Sequence, residues 1–101
     1  MNSLNDGFLS FLGLAKKAGK LYLGFSSAVS CIKYGFAKLV LVTNDLSKNT
    51  FKKVSFLADQ NNICIKKVKI SMVCVEKALG KKSGIIILTD QGFSNRILDF
   101  L

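Results

Sequence analysis

Two short runs of aliphatic residues constrain the fold of this chain more than any other feature of the sequence. Leu39–Val42 and Ile85–Leu88 contain no polar residue, and turn or capping residues flank both runs. Uninterrupted aliphatic runs of this length are typical of strands that are buried on both faces of a sheet. The sequence therefore predicts strands over residues 38–43 and 84–89. The first of these strands is expected to be central.

Amphipathic segments alternate with these strands. Apolar residues recur with helical spacing over residues 4–18, 25–34, 49–61, 71–79 and the segment after Asp90. Ser71 and Asp90 are expected to cap the last two helices, and Ser47 lies in a turn before the third. The inner face of the last helix should carry Phe93, Ile97, Leu98 and Leu101. Weaker strands are predicted over residues 20–23 and 63–68, the second with the lysines of an edge strand.

The order of these elements implies a three-layer sandwich. Helices and strands alternate throughout, and no proline, repeat or linker interrupts the chain of 101 residues, which is the size of one domain. We therefore expect one α/β domain over residues 1–101. In this domain about five helices cover both faces of a four-stranded sheet.

The charge of the chain favours polyanionic partners. Fifteen lysine and arginine residues outnumber six acidic residues, which gives a formal net charge of +9 at pH 7. A field of this sign on a small domain favours nucleic acid. A lysine-rich surface that only keeps a hydrophobic protein in solution has the same composition. The placement of the lysines has to decide between the two interpretations.

Several classes of function have no support in the sequence. The chain has no histidine, its carboxylates are scattered, and it lacks motifs for nucleotide cofactors or catalytic nucleophiles. Cys31, Cys64 and Cys74 lie among apolar residues, so we interpret them as core or near-core residues and not as zinc ligands or disulfides. We expect no enzyme, no cofactor, no metal, no membrane segment and a cytoplasmic location.

The junction between the first predicted strand and the second helix is a candidate binding surface. Gly24 allows close approach to the backbone, the start of the helix leaves amide donors unpaired, and Ser26 and Ser27 add hydroxyls. Three lysines lie nearby in sequence: Lys16, Lys17 and Lys20. A phosphate or a base edge can bind at such a junction. The alternative is that Ser26 or Ser27 only caps the helix.

Residues 81–84, which we call the basic turn, form a second candidate surface. The turn consists of Lys81, Lys82, Ser83 and Gly84 and links the fourth helix to the last strand. Because glycine stands on both sides of Lys81 to Ser83, we expect the turn to be flexible and accessible. Loops of this kind often carry binding residues, although an ordinary solvated turn has the same composition.

Several segments together resemble one known family over nearly the whole chain. They are FLGLAKKAGK at residues 11–20, Gly24, GFAKLVLV at residues 35–42, Asn44, Asp45, Asn49, Thr50 and TDQGF at residues 89–93. This combination resembles the kink-turn RNA-binding ribosomal proteins called L-seven-Ae and L-thirty-e, and especially their short bacterial YlxQ-type members. The resemblance implies a three-layer α/β/α sandwich with a mixed sheet.

The resemblance also implies where RNA would bind. Members of the family bind RNA at the start of the second helix, through a glycine followed by an Asn-Glu pair and then a lysine. They also bind it through the loop before the last strand. Gly24 matches the glycine, whereas Ser26 and Ser27 stand at the Asn-Glu positions and Ser30 at the lysine position. The basic turn takes the place of the family's apolar loop.

The leading interpretation is a non-catalytic RNA-binding protein that recognises structured RNA, kink-turn-like or ribosomal, in a ribosome or translation context. Its expected contact residues are Lys20, Gly24, Phe25, Ser26, Ser27, Ser30, Lys81, Lys82, Ser83 and Gly84. The alternative is a protein–protein interaction module of translation or ribosome assembly that has lost specific kink-turn recognition. A metal-independent enzyme is a third class, for which the sequence offers no base or nucleophile. The oligomeric state stays open.

Overall fold

The computed structural model describes the backbone of residues 3–101 and the side chains from Asp6 onward. Its elements, in chain order, are α1 (Ser3–Lys17), β1 (Leu21–Leu23), α2 (Phe25–Lys33), β2 (Leu39–Val42), α3 (Lys48–Gln60), β3 (Cys64–Lys67), α4 (Met72–Leu79), β4 (Ile85–Leu88) and α5 (Gln91–Asp99). This order confirms the alternation that the sequence predicts. The predicted boundaries are mostly off by single residues, because the last residue of an element belongs equally to the adjoining turn.

The four strands form one mixed sheet in the order β1-β4-β2-β3. The strand β4 pairs antiparallel with both β1 and β2, whereas β2 and β3 are parallel. The aliphatic strands β2 and β4 therefore occupy the centre, and every one of their residues is buried. The basic strand β3 lies at an edge, as its lysines predict.

Helices cover both faces of the sheet and enclose two separate hydrophobic cores. On one face, buried residues of α1, α4 and α5 pack against Leu39 and Leu41 of β2. On the other face, buried residues of α2 and α3 pack against Val40 and Val42. Successive residues of a strand point to opposite faces, so each central strand contributes to both cores. The three-layer α/β/α sandwich is confirmed.

Side-chain capping fixes the starts of three helices. The hydroxyl of Ser47 accepts a hydrogen bond from the backbone N–H of Thr50, and Ser71 does the same for Cys74. A carboxylate oxygen of Asp90 accepts from the N–H of Phe93 at 2.9 Å. These contacts confirm the caps expected for α4 and α5, and they show that Ser47 is the cap of α3.

Two expectations about buried side chains are wrong. Cys64 is exposed, because its neighbour Ile65 packs against the core under α3 and so turns Cys64 to the opposite face of the edge strand. Leu101 is 57% exposed, since α5 ends at Asp99 and the chain leaves the inner face of that helix before Leu101 is reached.

The hydroxyl of Thr43 is the one buried side-chain polar atom without a hydrogen-bond partner in the described part of the chain. Burying an unpaired hydroxyl costs free energy that an apolar group of the same shape does not. We therefore expect Thr43→Val to raise the free energy of unfolding by about 1 kcal/mol. Urea-induced unfolding followed by circular dichroism measures this change.

Thr50→Val is the matched control for this substitution. The side-chain oxygen of Thr50 lies 2.9 Å from that of Ser47 and forms a hydrogen bond with it, so its removal should not stabilise the protein. Equal stabilisation by both substitutions, or none by Thr43→Val, would contradict the interpretation of Thr43.

Candidate nucleic-acid interface

The start of α2 differs from the capped starts of α3, α4 and α5. Gly24 is its N-cap residue, with φ 98° and ψ 164°, and within residues 3–101 no side chain caps the helix. The alternative that Ser26 or Ser27 serves as the cap is therefore wrong. The first backbone N–H groups of a helix have no partner within the helix and carry the positive end of its dipole. At α2 they are left for solvent or a ligand.

Backbone pairing brings the basic turn next to this helix start. The strands β1 and β4 pair with Leu23 opposite Ile86, and the N–H of Gly24 extends the ladder by donating to the carbonyl of Ile85 at 3.1 Å. The basic turn ends immediately before Ile85. The two candidate surfaces of the sequence analysis are thus neighbours at one end of the sheet.

Only the first half of the basic turn is accessible. Lys81 and Lys82 are exposed, but Ser83 and Gly84 are buried. The Ser83 hydroxyl donates to the carbonyl of Ile85 at 2.9 Å and accepts from its N–H at 3.2 Å, which fixes the turn. The expectation of an accessible and flexible turn is wrong for Ser83 and Gly84, because both are buried where the turn enters β4.

Lys20 lies at the opposite end of the β1–β4 pair. Its carbonyl accepts a hydrogen bond from the N–H of Thr89 at 2.9 Å, just beyond the pairing of Leu21 with Leu88. At ~3.3 Å per strand residue, Lys20 and Gly24 are about 13 Å apart along the strand. The candidate surface is therefore elongated, with a cationic side chain at each end.

Of the other lysines near Lys20 in sequence, Lys16 does not belong to this surface. Its Nζ donates to the carbonyl of Leu79 at 2.8 Å, at the C-terminal end of α4. A cation there compensates the helix dipole. Lys17 lines a shallow cavity beside Ala78. Helix α1 covers the opposite face of the sheet from α2, which sequence proximity to Lys20 does not reveal.

A groove of about 600 Å³ lies beside α2 and β1 and reaches from Ser26 and Ser27 to Lys20. We call it the aromatic groove. Its lining residues are Gly19, Lys20, Tyr22, Ser26, Ser27, Ser30, Cys31, Tyr34, Phe36 and Thr89. Lys20 and the three serines were expected at the site, whereas the aromatic residues were not. Phe25, which was also expected at the site, does not line the groove and is 36% exposed.

The thiol of Cys31, in the lining of the aromatic groove, is not an activated nucleophile. Burial raises the pKa of the Cys31 thiol, which keeps it protonated and a poor nucleophile at neutral pH. Among residues 3–101, no three His, Cys, Asp or Glu side chains come together in a way that could hold a metal ion. None of the described helices is both long and apolar enough to span a bilayer.

Comparison with known sequences identifies the family of this small α/β protein. The sequence model of the ribosomal protein L7Ae/L30e/S12e/Gadd45 family matches residues 8–97. The chain belongs to this family.

One relative and two solved structures are similar to this chain. The RNA-binding protein YlxQ of Bacillus subtilis is 37% identical over 91 residues, which cover 89% of this chain and 90% of that protein. A solved protein of unknown function from Bacillus halodurans has a TM-score of 0.84 at 30% identity, covering 92% of this chain and 94% of that one. The Giardia lamblia 15.5kD RNA binding protein shares the fold, with a TM-score of 0.77 at 12% identity and coverage of 99% and 86%.

Gly24→Ala should destabilise the protein, because the backbone of Gly24 adopts φ 98° and ψ 164°. A residue with a side chain is strained there by about 1–3 kcal/mol. Gly13→Ala is the control: Gly13 lies within α1, and a Cβ at this position meets nothing within 4 Å. It should stabilise by about 0.5–1 kcal/mol. Thermal unfolding should move in opposite directions for the two variants, and a shift of the same sign would refute this account of Gly24.

Proposed function

We propose that this protein is a non-catalytic RNA-binding protein of ribosomal type, with residues 1–101 acting as one binding domain. The observation that carries the proposal is the uncapped start of α2 with the exposed lysines of the basic turn beside it. The net charge of +9 and the membership of a ribosomal protein family support it. So does the name of the Bacillus subtilis relative, an RNA-binding protein.

The contacts follow from the arrangement of donors. The free amides of Phe25, Ser26 and Ser27 suit a phosphate or a base edge, and a helix start binds anions through both its amides and its dipole. Lys81 and Lys82 neutralise phosphates at one end, and Lys20 does so at the other. Ser83 and Gly84 shape the basic turn and take no direct part, since both are buried.

The three serines define the kind of recognition. Ser26, Ser27 and Ser30 have short side chains that reach less far than the amide, carboxylate and ammonium groups expected from the family resemblance. Contacts close to the backbone of α2 therefore carry more of the binding, and these read the shape of a folded RNA more than the identity of its bases. We propose a structured RNA, kink-turn-like or ribosomal, in a cytoplasmic translation context.

The double variant Lys20→Glu/Lys81→Glu tests this surface. Both side chains are exposed, so the thermal stability should stay nearly unchanged while the affinity for folded RNA falls by about tenfold or more at moderate salt. The slope of log affinity against log salt should shrink by ~0.9 for each duplex phosphate that the variant no longer neutralises. Filter binding of a labelled ribosomal RNA fragment over a salt series measures both quantities.

The control is Lys66→Glu/Lys77→Glu, which changes the net charge by the same amount. Lys66 lies on the opposite edge strand β3 and Lys77 on α4, in the other helical layer. An equal loss of affinity in both double variants would mean non-specific attraction. An unchanged affinity in Lys20→Glu/Lys81→Glu would place the RNA elsewhere, and a nuclease-resistant protein partner without RNA affinity would favour the interaction module.

A further inference from the structure

Aromatic side chains are concentrated beside α2 and exposed to solvent. The described residues expose eight large hydrophobic side chains, and four of these, all aromatic, belong to β1, to α2 or to the turn after it: Tyr22, Phe25, Tyr34 and Phe36. Tyr34 and Phe36 are 67% and 62% exposed. Exposed apolar surface that is concentrated in one place marks a binding site more often than scattered residues do.

The turn that follows α2 holds Tyr34 and Phe36 in place. Gly35 has φ 79°, a conformation that residues with a side chain rarely adopt, and its N–H donates to the carbonyl of Ile32 at 3.2 Å. The N–H of Phe36 donates to the carbonyl of Cys31 at 2.8 Å. Both backbone positions are thus fixed by the end of the helix. A ligand at these rings does not have to order a flexible loop.

The polar lining of the aromatic groove suits an anionic chain. Besides the rings of Tyr22, Tyr34 and Phe36, the ten lining residues include Lys20 and four side chains with aliphatic hydroxyls. None of the ten is acidic. Outside the lining, Nζ of Lys33 lies 5.9 Å from the centroid of the Tyr34 ring. An aliphatic peptide would gain little from these cations and hydroxyls, whereas a nucleotide offers a flat base to the rings and a phosphate to the lysines.

We propose that the aromatic groove binds unpaired nucleotides of the RNA, with bases stacked on Tyr34 and Phe36 and the phosphate backbone near Lys20 and Lys33. This rests on the proposed function, because the groove begins at Ser26 and Ser27, where α2 would meet the folded RNA. A single strand that leaves the folded part passes along α2 to the rings. The protein therefore selects structured RNA that carries an adjacent single-stranded segment.

The first experiment measures what an unpaired strand adds to binding. The probes are an RNA hairpin closed by a stable tetraloop and the same hairpin extended by oligouridine at its 5′ or 3′ end. We expect one extended hairpin to bind the unaltered protein about tenfold more tightly, since stacking of even one base contributes about this much. Tyr34→Ala/Phe36→Ala should abolish the gain and leave the affinity for the plain hairpin unchanged.

Phe56→Ala is the matched control, because Phe56 is also an exposed aromatic residue, at 53%, but lies on α3 outside the aromatic groove. It should preserve the gain. A gain that survives in Tyr34→Ala/Phe36→Ala, or no gain in the unaltered protein, overturns the inference while binding of the plain hairpin sustains the proposed function. No binding of any of these RNAs overturns both.

The second experiment uses the unaltered protein and locates the bases directly. Oligouridine that contains 5-iodouridine crosslinks under ultraviolet light to aromatic rings on which the base stacks. Peptide mass spectrometry should place the crosslinks at Tyr22, Tyr34 or Phe36. Crosslinks confined to Phe56, or a protein partner that requires Tyr34 and Phe36 and resists nuclease, would contradict the assignment of this groove to RNA.

Discussion

The antiparallel pairing of β2 with β4 places two wholly aliphatic strands side by side in the middle of the sheet. Neither strand has a polar side chain to present to water, so both faces of the sheet have to be covered. Burying each of these side chains contributes about 1.5–3 kcal/mol. The three-layer arrangement follows, with α1, α4 and α5 on one face and α2 and α3 on the other.

The candidate binding surface lies where this central pair meets the less buried strand β1. The ladder of β1 on β4 fixes Leu23 and then Gly24, and the positive φ of Gly24 lets the chain turn directly into α2. Three other helices gain stability from side-chain caps, whereas α2 begins without one. With glycine at the N-cap position, the absence of a side-chain cap costs only roughly a few tenths of a kcal/mol, and it leaves the amides at the candidate site free.

Much of the fold could be predicted from local patterns, and parts of the site could not. The caps Ser71 and Asp90 follow from residue type and position alone, because a cap acts within four residues of its own backbone. The roles of Lys16 and Ser83 depend on partners that packing supplies: Lys16 binds the end of another helix, and Ser83 is used in starting β4. No spacing in the sequence distinguishes such lysines and serines from those left free for a ligand.

The sequence by itself determined the alternation of five helices with four strands, the burial of β2 and β4, and the excess of positive charge. These properties are periodic or additive, so they can be read without knowing the contacts. Only the tertiary structure decided that β1 pairs with β4, and with it that Tyr22, Tyr34 and Phe36 line one groove with Lys20. Pairing between strands so distant along the chain depends on which arrangement buries both cores at once, and that is a property of the whole packed sheet.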